Sequence, residues 1–66
     1  MYDENYILEF QQIGSYVKVS AIDPKTSLEV SMAFPTRGLT RNYMENLAIR
    51  KLKYMLNKKQ EEEGVF

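Results

Sequence analysis

A 66-residue chain with nine basic and nine acidic residues, no cysteine and no histidine has few ways of holding itself together. A domain this short buries only about 60% of the surface of its unfolded chain and usually carries a staple, yet disulfides and structural zinc are excluded for want of ligands. Its 44% hydrophobic and 12% aromatic residues mark a folded chain rather than a disordered one, and self-association is the staple that remains.

In chain order, Met1 to Asn5 is a polar lead-in, and residues 6–13 alternate as a first strand with Leu8 and Phe10 facing inward. Gly14-Ser15 separates it from a second β-prone run over 16–23, and glycine at the first of two loop positions suits a type II′ hairpin turn. That turn fixes the register, with Ile13 opposite Tyr16, Phe10 opposite Val19 and Leu8 opposite Ala21. One face then gathers Leu8, Phe10, Val17, Val19 and Ala21; the other centres on Glu9, Gln11, Lys18 and Ser20. Asp23-Pro24-Lys25-Thr26-Ser27 is a strong turn, because proline presets φ and the aspartate and serine side chains bond nearby amides. A third strand over 28–34 adds Leu28, Val30, Met32 and Phe34 to the packed face, and Pro35 ends it.

Thr40 or Asn42 then caps a helix expected over about 41–60. At 100° per residue, Met44, Ala48, Ile49, Leu52, Met55 and Leu56 form one broad stripe, and Tyr43, Leu47 and Tyr54 form a second patch about a quarter-turn away. Asn46, Arg50, Lys53 and Asn57 make the polar strip. If the stripe covers the sheet, the second patch stays partly wet. Burying three such side chains is worth roughly 4 to 8 kcal/mol, comparable with a small domain's whole stability of about 5 kcal/mol. Tyr43, Leu47 and Tyr54 are therefore the expected dimer interface. The connection through Gly38 also permits a domain-swapped arrangement. Glu61, Glu62 and Glu63 lie at the unfavourable end of the helix dipole, which predicts a frayed tail over 61–66.

The fold class is thus α+β: a three-stranded antiparallel meander followed by one C-terminal helix packed on one face, a single domain over 1–66 and dimeric. Apolar runs of a few residues fall far short of the roughly 20 needed to span a membrane, and the acidic start at Asp3 and Glu4 is unlike a signal peptide. The expectation is a soluble, cytoplasmic protein with no membrane partner.

Charge is unevenly distributed. Residues 1–36 carry two lysines against five acids, a net of −3, and residues 37–60 carry seven basic residues against Glu45 alone, a net of +6. A basic helix between acidic segments pairs with its own sheet and tail, or meets nucleic acid through Arg37, Arg41, Arg50 and Lys53. Against nucleic acid stand a pI near 6.2 and the spread of the basic residues around the helix, where the stems of Lys51 and Lys58 suit partly buried surface. Enzymatic chemistry has little to work with. Without histidine or cysteine the usual general base and the easiest nucleophile are missing, and Glu9, Lys18 and Glu29 read as a cross-strand ion pair on a wet face. Gly14, Gly38 and Gly64 are isolated, so no phosphate loop is present. No catalytic, metal or cofactor site is assigned. Ile13 and Tyr16 at one end of the wet face, and Ile7 and Ile22 at the other, are apolar spots open to a protein partner or a dimer.

Glu9-Phe10, Ile13-Gly14, Tyr16 to Pro24, Thr26 and Glu29-Val30-Ser31, with Ala48, Arg50-Lys51-Leu52 and Tyr54, resemble a family of short, functionally uncharacterised bacterial proteins. The resemblance covers most of the chain and is most specific in the hairpin. It implies a small stand-alone α+β protein and brings no activity, ligand or site residue. The hairpin and basic helix are also weakly similar to the second half of a double-stranded RNA-binding domain. That domain's first helix is absent here, and its lysine cluster is replaced by Thr40-Arg41-Asn42-Tyr43. The reading that results is a non-enzymatic homodimeric interaction or regulatory module, with nucleic-acid binding as the alternative.

Overall fold

The structure, a computed structural model, describes residues 5–63, with side chains described through Lys59. Three antiparallel strands, β1 (Ile7–Ile13), β2 (Tyr16–Asp23) and β3 (Leu28–Pro35), form one sheet in the order β1-β2-β3, and a single helix, α1 (Arg41–Glu63), follows. The fold is the expected β-β-β-α meander with its helix on one face.

The two-residue turn sets the register as its chemistry requires. Gly14 has φ 59°, while Ser15 is absent from the non-glycine residues of positive φ, the combination that a type II′ turn demands. Ile13 pairs with Tyr16, Phe10 with Val19 and Leu8 with Ala21. The second connection is held by Asp23. Its Oδ1 accepts the Lys25 N–H at 3.1 Å, its Oδ2 accepts the Thr26 hydroxyl at 3.1 Å, and the Ser27 N–H donates to its carbonyl at 2.7 Å. Closing that loop puts Ser27 at φ 66°, a left-handed position that serine occupies at some cost.

Beyond Pro35, which is tolerated because β3 is an edge strand, the Thr36 N–H still donates to the Ser15 carbonyl at 3.2 Å. Thr40 is the N-cap. Its hydroxyl accepts the Tyr43 N–H at 3.1 Å and its carbonyl accepts the Met44 N–H at 3.1 Å, so Asn42 lies inside the first turn. Leu39 and Met44 hold the flanking positions of a hydrophobic staple, and Leu39 packs against the core cluster that contains Met44. At the other end α1 continues to Glu63, three residues past the expected stop at Gln60. Glutamate is a good helix former, and its propensity outweighs the dipole penalty there. Residues 64–66 of the expected tail and residues 1–4 of the polar lead-in lie outside the described residues.

The core lies between α1 and the sheet. Val19, Ala21, Ala48 and Leu52 are fully buried, with Val30, Phe34, Met44 and Ile49 nearly so. α1 packs mainly on β2 and β3. It crosses the sheet diagonally, from Arg41, whose guanidinium lies 4.3 Å from the centroid of the Phe10 ring, towards Leu28, beside Met55, Lys58 and Lys59. β1 is left at the margin, and Leu8 and Phe10 are only half-buried.

Candidate functional site

The main stripe of α1 does what its pattern requires: Met44, Ala48, Ile49 and Leu52 are buried and Met55 and Leu56 half-buried. The second patch remains at the surface, with Tyr43 50% and Tyr54 62% exposed. Leu47 is half-buried and touches the core cluster with its inner side. Eleven residues place the two tyrosines about 16 Å apart along the axis and nearly in line. Arg50, Lys51 and Lys58 are exposed along this same flank. Lys51 lies flat enough for its Nζ to donate to the Ser31 carbonyl at 3.3 Å, its stem following the helix edge as expected for a long amphipathic side chain. Glu45, the one acidic residue between Arg37 and Gln60, points elsewhere and accepts from Arg41 Nε at 3.4 Å. Through Lys59, the last side chain described, the flank therefore carries aromatic rings and positive charge with no carboxylate.

The basic residues nominated for nucleic acid are not brought together. Arg37 is exposed in the connection before α1. Arg41 is committed to Phe10 and Glu45, and Arg50 lies nine residues on, about 180° around the helix. Lys53 is half-buried and has an interaction of its own. What the sequence reading missed is the grouping of Arg50, Lys51 and Lys58 with Tyr43 and Tyr54. The signal was in the wheel, where Lys51 and Lys58 separate the two apolar patches.

The opposite face of the sheet bears a shallow concavity of about 420 Å³ around Glu9, Gln11, Lys18, Ser20 and Glu29. Glu9 and Lys18 are diagonal neighbours in the register, yet among the described residues no ion pair joins them or Glu29. Arg41 and Glu45, one turn apart on α1, do form such a pair. Extended side chains on a wet face gain too little from pairing to offset their lost freedom. Ser20, 6% exposed although it lies on this face, shares a hydrogen bond with the Ser31 hydroxyl at 3.2 Å. Two neutral hydroxyls bonded to each other are not an activated nucleophile, which needs an adjacent base. Among the described residues no cluster of three acidic or metal-ligating side chains is placed to hold a metal, and no helix is long and apolar enough to cross a membrane.

No curated protein and no solved structure matches the chain. A family model does: the domain of unknown function DUF6898 matches residues 3–59, so this small α+β chain belongs to that family.

Proposed function

We propose that this chain is a small non-catalytic interaction domain, working as a homodimer, whose α1 flank receives an acidic segment of a partner protein. The observation that carries the reading is the pair of exposed rings, Tyr43 and Tyr54, set among Arg50, Lys51 and Lys58, with no carboxylate among the described side chains of that flank. Interface anchors are enriched in tyrosine and arginine, and Leu47 between the rings offers an apolar contact that a phosphate backbone has no use for. The same charge speaks against the flank as a two-fold interface, since a symmetric contact sets like charges against each other at a cost of several kcal/mol.

A second reading keeps the flank and changes the partner. Two tyrosines on a basic surface also suit stacking by the bases of a single-stranded nucleic acid. Fluorescence anisotropy with a labelled Glu- and Leu-rich peptide and a labelled oligothymidine, at low and moderate salt, separates the two. Peptide binding that Tyr54→Ser and Lys58→Glu abolish supports the first reading. Oligothymidine binding that weakens steeply with salt replaces it with the second. Binding of neither probe at low salt overturns both.

A further inference from the structure

We propose that two copies of this chain pair through the outer edge of β1, antiparallel about Phe10, and so form one continuous six-stranded sheet. The proposal rests on the self-association proposed above and names its surface.

The parity of the meander decides which backbone groups face outward. A two-residue hairpin makes Ile13 and Tyr16 a hydrogen-bonded pair, and bonded and non-bonded pairs alternate from there. Ile7, Glu9, Gln11 and Ile13 therefore turn their N–H and C=O groups towards β2, while Leu8, Phe10 and Gln12 turn theirs outward. The bond from Thr36 N–H to the Ser15 carbonyl fixes the parity of β3 in the same way, so Glu29, Ser31, Ala33 and Pro35 face its outer edge.

The two edges differ in how they are protected. On β3 the outward carbonyl of Ser31 is taken by Lys51 Nζ, and Pro35 has no N–H to offer. Lysine and proline are the devices with which soluble proteins blunt an edge. β1 has neither, its register runs without a bulge, and Glu9 is its only charge. It is also the strand at the margin of the helix, with Ile7 46% and Ile13 37% exposed.

A second copy fits this edge because β1 is self-complementary. Pairing about Phe10 sets Leu8 against the partner's Gln12, so all outward groups at 8, 10 and 12 are matched by hydrogen bonds. On the wet face it sets Glu9 against Gln11 and Ile7 against Ile13. On that face no like charges stand directly opposite each other, two exposed isoleucines of each copy cover each other, and cross-strand apolar pairs of this kind stabilise a sheet. All seven residues of β1 find a partner in this one register.

The absence of cysteine makes the test clean. Glu9→Cys and Gln11→Cys are both on the exposed face, outside the core. In the proposed register residue 9 lies about 4.5 Å from residue 11 of the second copy, at the Cα atoms, within disulfide range, whereas two residues 9 or two residues 11 lie about 7–8 Å apart. Oxidising a mixture of the two variants should give a covalent dimer as its main product, and each variant alone should stay largely without a covalent cross-link. Gln12→Pro removes one outward N–H and leaves the bonds to β2 intact, so in sedimentation at micromolar concentration it should run at half the mass of the unsubstituted chain. A dimer that Leu47→Lys dissociates, and that gives no selective disulfide, overturns the β1 edge while self-association stands. A monomeric chain with no disulfide in the mixture overturns both.

Discussion

Lys51 reaches from the middle of α1 to the outer strand, its Nζ 3.3 Å from the carbonyl oxygen of Ser31. The contact ties helix to sheet at an exposed position, where a hydrogen bond contributes modestly. Lys51→Met should therefore cost less than about 1.5 kcal/mol in urea unfolding. It also uncovers the edge that the lysine blunts, so the variant should associate more strongly with concentration than the unsubstituted chain when followed by light scattering.

Asp23 is 8% exposed and its carboxylate accepts two hydrogen bonds inside the second connection. Asp23→Ala leaves the Lys25 N–H and the Thr26 hydroxyl without their acceptor and should cost about 1–3 kcal/mol. Asp23→Asn keeps one acceptor oxygen and should recover part of the loss, as read from chemical denaturation midpoints.

Two left-handed residues give opposite expectations. At Gly14 a Cβ would meet nothing within 4 Å, so Gly14→Ala carries no clash and its cost is that of φ 59° alone, about 1–2 kcal/mol. Ser27 already bears such a cost at φ 66°, and Ser27→Gly relieves it while adding freedom to the unfolded chain, for a net change of up to about 1 kcal/mol in the stabilising direction. Paired thermal melts should move in opposite directions.

Leu52 is the largest of the fully buried side chains. Leu52→Ala should cost about 2–5 kcal/mol, enough to leave a domain of roughly 5 kcal/mol marginal at best. Circular dichroism at 25 °C should show a shallow, early transition, and Leu52→Met should remain close to the parent because its volume is nearly conserved.

The sheet was legible because one local feature, a glycine at the first position of a two-residue loop, dictates every pair along both strands. Thr40 and Asn42 were both plausible caps, and only tertiary placement separates them: Leu39 must reach the core, which puts the boundary at Thr40. The width of the apolar stripe likewise foretold that Tyr43 and Tyr54 would remain outside. Three things were not legible. Whether Glu9 and Lys18 close an ion pair depends on side-chain freedom that spacing does not record. The burial of Ser20 comes from its neighbours on three strands, and the reach of Lys51 to β3 depends on where the helix crosses.

The meander order has a kinetic consequence. Each strand pairs with the next one in the chain, so the contacts that build the sheet are local, and chains with local contacts fold fast. Because β2 alone is bonded on both sides, and holds Val19 and Ala21 at full burial, its amides open only when the whole domain does. In hydrogen exchange β2 should therefore report global unfolding, while the outward amides of Leu8, Phe10 and Gln12 exchange early in the monomer and slow as protein concentration rises into the association range.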